Sequence, residues 1–318
     1  MSGGPNGAQI EVWAPAKLNL FLEILTRRPD GYHEIVTVMT GISLYDTLLF
    51  QPTNEKEISF TARWCSGPVN SEGSCSQAFG DLPDGNDNLV VKALGLIRDA
   101  SGYRGGARVE LIKRIPSQAG LGGASSDAAA ALLAANRSWT LDWPAARLEE
   151  LAAQLGSDVP FFLRGGTGIC EGRGEKVRWL QSAPRLNCVV VRPPYGLSTV
   201  EVYQQLKVPS SDRQISIPDY LDSHAGTRTV GGQLFNRLQS AAETCAPELL
   251  VLRDHFGRIP FLGHQLSGSG SSYFGVSANS AAARRCTSRL RATGIGQTFQ
   301  VVTNCSMKLR QRRRSRHQ

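Results

Sequence analysis

Residues Arg108–Asn136 read RVELIKRIPSQAGLGGASSDAAAALLAAN. Val109, Leu111, Lys113 and Ile115 alternate with Arg108, Glu110, Ile112 and Arg114, the period-two pattern of a strand with an apolar face, and Pro116 ends it. Three glycines follow, Gly120, Gly122 and Gly123, and then Ser125, Ser126 and Asp127 lead into Ala128–Ala135, all alanine and leucine. The order predicts a strand, a glycine loop, a hydroxyl N-cap and a helix.

Glycines let successive backbone N–H groups converge on one point, where the following helix adds unpaired N–H groups and partial positive charge. A phosphate chain is the natural ligand of such a loop; a plain tight strand-to-helix turn is the alternative reading. No Lys-Ser/Thr pair follows the last glycine, so this is not a Walker A loop, and the third glycine of a dinucleotide fingerprint is missing.

Composition sets the outer limits. The 318 residues suffice for two domains or one large one, and 41% hydrophobic with 19% charged residues is the profile of a soluble globular protein. Of the net charge of +8, Lys308, Arg310, Arg312, Arg313, Arg314 and Arg316 supply six, leaving 8 − 6 = +2 for the rest. The basicity is a property of the tail. Seven cysteines, an odd number with no C-x-x-C pair, predict reduced thiols in a cytoplasmic protein in place of a disulfide frame or zinc site. MSGGPNGAQIEVW at the start has no basic region followed by an apolar run, so neither export nor membrane insertion is expected.

Outward from the loop, VWAPAKLNLFLEI (12–24) alternates strongly and puts Lys17 and Asn19 on one face. Pro15 and the dense apolar surroundings predict a strand covered on both sides, where an ammonium needs a partner. Pro29-Asp30-Gly31 is a turn signal, with Tyr32 and His33 opening the next apolar run, Ile35–Phe50. Residues 51–88 read as an irregular excursion around a short strand, Glu57–Trp64. Helices are predicted over Leu89–Ser101, stopped by Gly102, and over Pro144–Leu155, capped by Asp142 and stopped by Gly156.

Gly156-Ser-Asp-Val-Pro-Phe-Phe162 sets one carboxylate, Asp158, between a helix end and an apolar run. Pro160 disfavours a helical Val159, which predicts a half-buried Asp158; a capping or turn role is the alternative. Hairpin turns over Gly165–Gly174 end the first domain near Pro184. Beyond it come a buried strand, Leu186–Arg192, and helices over Ser198–Leu206, Gln233–Cys245 and Pro247–Phe256, with a loop or mobile cover at 207–232. A second glycine-serine loop, Leu266–Ser272, precedes a strand at Tyr273–Val276, a helix at Ala278–Thr293 and a strand at Gln297–Cys305. This alternation predicts an α+β second domain.

Five stretches occur in order: Pro15-Ala-Lys-Leu-Asn-Leu-Phe-Leu22, Asp30-Gly-Tyr-His33, Gly120-Leu-Gly-Gly-Ala-Ser-Ser-Asp-Ala-Ala129, Leu155-Gly-Ser-Asp-Val-Pro-Phe-Phe162 and Leu266-Ser-Gly-Ser-Gly270. Together, over Val12–Cys305, they resemble the 4-diphosphocytidyl-2-C-methyl-D-erythritol kinase family of the GHMP kinase superfamily. The resemblance implies an α+β fold of two domains, 1–184 like domain 2 of ribosomal protein S5 and 185–306 ferredoxin-like; the block of like charges at the end predicts a disordered basic tail, 307–318. The resemblance also implies ATP-dependent phosphorylation of the 2-hydroxyl of the diphosphocytidyl alcohol in non-mevalonate isoprenoid synthesis, with Mg²⁺ as cofactor and metal ligands that no motif identifies.

Residue by residue, the resemblance makes Lys17 and Asp158 the catalytic pair and Asn19 a polar neighbour of the transferred phosphate. Tyr32, His33 and Tyr203 fall where the family holds the cytosine, and Thr199 on the rim. Pro116, Ser117, Gln118, Ala119, Gly120, Leu121, Gly122, Gly123, Ala124, Ser125 and Ser126 match the ATP phosphate loop, joined by Gly268, Ser269 and Gly270. Ala124 stands where the family usually has a glycine, and Phe235-Asn-Arg-Leu238 replaces a more usual Asn-Asp-Leu and receives no catalytic role. The chemistry is coherent: an aspartate accepts the proton of a weakly nucleophilic hydroxyl, and an adjacent ammonium keeps it ionised. The partners implied are ATP and a small molecule, with no nucleic acid or membrane, for a monomer or weak homodimer. A homoserine or mevalonate type of kinase would need no base pocket. An RNA-binding S5-like protein is disfavoured because the charge is terminal and lacks interleaved aromatics.

Overall fold

The computed structural model describes residues 8–65, 82, 85–207 and 226–312. Two long antiparallel strands, β1 (Gln9–Arg27) and β2 (His33–Thr53), form the spine of the first sheet. The turn between them is closed by the Arg28 N–H donating to the Tyr32 carbonyl at 2.8 Å, with Gly31 at φ +86°, a conformation that favours glycine. From Ala14 to Ile24 every residue of β1 is buried, so Lys17 and Asn19 are enclosed as the apolar surroundings predict.

β3 (Ile58–Trp64) lies parallel beside β4 (Gly106–Lys113), which pairs with β2. Four helices cover this sheet: α1 (Leu89–Ser101), α2 (Gly123–Ser138), α3 (Ala145–Leu155) and α4 (Val159–Arg164). Ala128–Leu132, Ala134 and Ala135 of α2 are all buried. With methyl side chains on nearly every face, α2 can be enclosed by α1, α3, α4 and the sheet together, which a helix with one polar face could not. β5 (Thr167–Gly172) extends the sheet from β2, and β6 (Lys176–Trp179) pairs with β5.

The second sheet is antiparallel, with β7 (Asn187–Arg192) and, further along, β9 (Gly263–Leu266), β10 (Tyr273–Ser277) and β11 (Gln297–Val302) in the order β11-β7-β10-β9. Its connections carry α5 (Thr199–Gln204), α6 (Thr227–Gly232), a two-residue strand β8 (Phe235–Asn236), α7 (Gln239–Cys245), α8 (Glu248–Gly257) and α9 (Ser280–Thr293). The last described segment, β12 (Lys308–Arg312), returns to the first sheet and pairs antiparallel with Gln9–Trp13 of β1.

Several expectations are corrected. The serines do not cap α2: the helix begins at Gly123 behind a left-handed Gly122, and no side chain caps it. Asp142 does not cap α3, whose N-cap is Pro144. Val159 is helical despite Pro160, because a proline near a helix start removes no bonded N–H and the burial of Val159, Phe161 and Phe162 favours this course. The helix expected from Gln233 begins only at Gln239, since Phe235 and Asn236 pair with β1. Residues 308–312 are not a disordered tail, because the free edge of β1 offers their backbone a partner. Much of the cover expected at 207–232, and Cys75, lie outside the described residues.

Candidate active site

A cavity of about 1010 Å³ runs between the two sheets, past the glycine loop. Lys17 and Asn19 enter it from β1, and Asp158 from the turn before α4. The Lys17 ammonium lies 3.7 Å from Asp158 Oδ2, the lysine side chain 6% exposed and the aspartate 35%. Lys17 Nζ also donates to Asn19 Oδ1 at 2.5 Å. Asn19 Nδ2 donates to Thr37 Oγ1 at 2.8 Å, and that hydroxyl donates to the Phe21 carbonyl at 2.7 Å. This relay fixes the asparagine so that its oxygen faces the ammonium, while Asp158 remains open to the cavity.

The glycine loop is tied to the same strand. The Lys17 N–H donates to the Leu121 carbonyl at 2.9 Å. Gly120 and Gly122 have φ near +70°, and a Cβ on Gly120 would stand 2.1 Å from the Ser267 carbonyl oxygen. A larger residue there would push the two glycine loops apart. Ser267 Oγ donates to the Gly120 carbonyl at 3.1 Å and the Ser272 N–H to the Ala119 carbonyl at 3.1 Å, so both loops act as one rim. Because no side chain caps α2, its first N–H groups stay available to a ligand at this rim.

Also lining the cavity, the His33 and Tyr203 rings lie 5.0 Å apart between centres. Burial, reinforced by the charge of Arg27, lowers the His33 pKa and favours the neutral imidazole. Tyr203 has its phenol pKa pushed up by burial and then by the charge of Asp158. Tyr32 is 54% exposed, with the Arg173 guanidinium 4.9 Å from its ring centre. Thr199 and Ser269 share a hydrogen bond of 2.8 Å on the rim.

Of the residues singled out in the sequence, Lys17, Asn19, Tyr32, His33, Asp158, Thr199 and Tyr203 all line this cavity, with Ser117 through Ser125, Gly268 and Ser269. Pro116, Ser126 and Gly270 do not line it. Ser126 is fully buried, and its hydroxyl has no hydrogen-bond partner among the described residues.

Other contributors were missed. Asn236, given no role from sequence, donates through Nδ2 to the Leu266 and Gly268 carbonyls at 2.9 and 2.8 Å and so holds the second glycine loop. Gln265 Nε2 donates to the Asn19 carbonyl at 2.8 Å, and Arg237 pairs with both oxygens of Glu23 at 2.6 and 2.7 Å. Thr37 and Arg173 also line the cavity. Only the FNRL segment's departure from the family pattern marked any of these positions. Among the described residues there is no group of three or more His, Cys, Asp or Glu side chains that could hold a metal ion. No described helix is long and apolar enough to cross a membrane.

The two-sheet architecture and the paired glycine loops are those of a GHMP kinase: residues 88–166 match the family described as GHMP kinases N terminal domain. The fold also matches homoserine kinase from Cytophaga hutchinsonii, with a TM-score of 0.68 at 16% identity, covering 97% of this chain and 99% of that one. Within that class, the chain is 41% identical over 292 residues to the 4-diphosphocytidyl-2-C-methyl-D-erythritol kinase of Pelotomaculum thermopropionicum, covering 89% of this chain and 94% of the relative. It is 34% identical over 265 residues to the enzyme of that name from Bacillus subtilis, covering 83% and 86%. A crystal structure of 4-(cytidine 5'-diphospho)-2C-methyl-D-erythritol kinase superposes with a TM-score of 0.73 at 34% identity, covering 93% of this chain and 100% of that one. The chain belongs to the 4-diphosphocytidyl-2-C-methyl-D-erythritol kinase family.

Proposed function

We propose that this protein transfers the γ-phosphoryl group of ATP to the 2-hydroxyl of 4-diphosphocytidyl-2-C-methyl-D-erythritol, a step of non-mevalonate isoprenoid precursor synthesis, as a cytoplasmic monomer or weak homodimer. The observation that carries the reading is the Lys17–Asp158 pair beside the glycine loop, in one cavity with the His33–Tyr203 pair.

Residues 1–184 supply the phosphate loop and the catalytic pair, while 185–306 close the cavity over them. Asp158 accepts the hydroxyl proton as the substrate oxygen bonds to the γ-phosphorus and the bond from that phosphorus to the β–γ bridging oxygen breaks. Lys17 stands beside the carboxylate, held by Asn19, and neutralises charge developing on the transferring phosphoryl oxygens. The glycine loop N–H groups and the start of α2 hold the donor phosphates. Mg²⁺ accompanying the nucleotide would offset the charge of the phosphates that the glycine loop and the start of α2 hold.

The His33–Tyr203 pair supports a cytidine-bearing acceptor over a small acid: a neutral imidazole can hydrogen-bond a base edge beside an aromatic ring that offers it an apolar face. The test is incubation with ATP, Mg²⁺ and the diphosphocytidyl alcohol, followed by phosphorus NMR. A new monophosphate resonance on the acceptor is expected. Its absence, with transfer to homoserine or mevalonate instead, would assign the chain to another acceptor.

A further inference from the structure

Behind the glycine loop lies an ionic cluster that the phosphoryl-transfer pair does not use. Lys113 ends β4, Asp46 sits on β2 and Asp127 lies one turn into α2, and all three are at most 5% exposed. Lys113 Nζ donates to Asp127 Oδ2 at 2.6 Å and to Asp46 Oδ2. The other Asp46 oxygen accepts the backbone N–H of Ile115 at 2.9 Å and that of Arg114.

The cluster therefore grips both ends of the loop. Asp46 holds the chain where it leaves β4, and Asp127 holds the helix into which the loop runs. Lys113 joins them immediately behind the last glycine, since a Cβ on Gly123 would stand 3.2 Å from its Nζ. Burying two carboxylates and an ammonium is a poor way to gain stability, because desolvation offsets most of their attraction. What such a cluster supplies is a fixed geometry, through short bonds that tolerate little displacement.

We infer that Lys113 and Asp127 are positioning residues for the donor nucleotide, setting the span between the end of β4 and the start of α2 and hence the convergence of the loop N–H groups on the phosphates. The inference rests on the kinase reading above, in which this loop holds ATP. Both side chains also reach the wall of the cavity beside the loop, but neither supplies the transferred group or accepts the proton; their effect on the donor runs through the loop they span. The charge balance agrees with this arrangement: the Asp127 carboxyl, whose Oδ1 has no hydrogen-bond partner among the described residues, has its pKa pushed up to about 8, chiefly by burial. A proton kept there makes the cluster neutral overall and lets it remain buried.

The test compares full-length wild type with Asp127→Ala and Asp127→Asn, measuring the Kd for ADP by calorimetry and separate KM values for ATP and the alcohol. Asp127→Ala is expected to raise both the ADP Kd and the KM for ATP by about tenfold, with the KM for the alcohol changed less than about twofold. Asp127→Asn, which keeps an oxygen for Lys113, should recover most of that loss. A purely structural role would lower the yield of active enzyme and leave both KM values alone. If Asp127→Ala fails to fold, Lys113→Met/Asp127→Ala, which leaves no buried ammonium facing an empty partner position, carries the same comparison. Wild-type affinity for ADP in the folded variants, or equal losses for ATP and the alcohol, would overturn the inference while leaving the kinase reading standing. Wild-type protein that bound no ADP would remove both.

Discussion

The Lys17 ammonium lies 3.7 Å from Asp158 Oδ2, although one residue comes from the first strand and the other from a turn between two helices. What brings them together is the Lys17 N–H bond to the Leu121 carbonyl and the packing of α4 against α2, which set both the strand and the turn against the glycine loop. The pair is thus built into the same frame as the loop.

Replacing Asp158 with Asn should leave the fold and ATP binding nearly intact and cut turnover by roughly a hundredfold or more, the usual scale for losing a general base. Lys17→Met should do similar damage. Steady-state kinetics with the diphosphocytidyl alcohol checks this; either variant keeping more than about half of wild-type kcat would exclude the pair from the chemistry.

Tyr203→Ala removes the ring packed on His33 and should raise the KM for the diphosphocytidyl substrate by roughly tenfold, with a smaller effect on ATP. The companion measurement uses methylerythritol phosphate, which has no base. Efficient phosphorylation of that compound would show that the pair does not select the acceptor.

The strand pairing of residues 308–312 gives the C-terminal segment a structural role. Lys308 and Arg310 also stand 5.3 and 4.9 Å from the Trp13 ring centre. Deleting residues 308–318 should remove five cross-strand pairs, from Gln9–Arg312 to Trp13–Lys308, and cost about 2 kcal/mol. That corresponds to a fall in Tm of ~3 °C for a protein of this size. Turnover should stay within about twofold of wild type, because β12 lies on the outer edge of the sheet and no residue of it lines the cavity. An unchanged melting temperature would mean that the pairing contributes nothing in solution.

Stability should also depend on pH through Asp127. Burial raises its pKa on folding, so between the ordinary carboxylate range and that raised value the folded state favours a proton that the unfolded chain has released. Stability therefore falls as pH rises through this window and levels off above it. Lys113 has its pKa raised further by the two carboxylates, remains protonated throughout, and adds no slope there. Thermal melts at pH 5, 6.5 and 8 should show wild type losing ground to Asp127→Asn as pH rises; parallel curves would exclude the buried proton.

The sequence by itself determined the strand, glycine loop and helix around Gly120–Gly123, the turn at Gly31 and the enclosure of Lys17 and Asn19. These depend on features that neighbouring residues carry: side-chain periodicity, and the backbone freedom of glycine. The motifs around His33, Asp158 and Ser267–Gly270 also marked much of the cavity lining before any geometry was known. Only the tertiary structure decided what holds that lining in place. Asn236 bonding to Leu266 and Gly268, Lys113 joining Asp46 to Asp127, and the edge pairing of β12 each join segments remote in the chain. In each case the partner is chosen by proximity and burial after the sheets have packed, and an asparagine, a lysine or a basic tail carries no local sign of it.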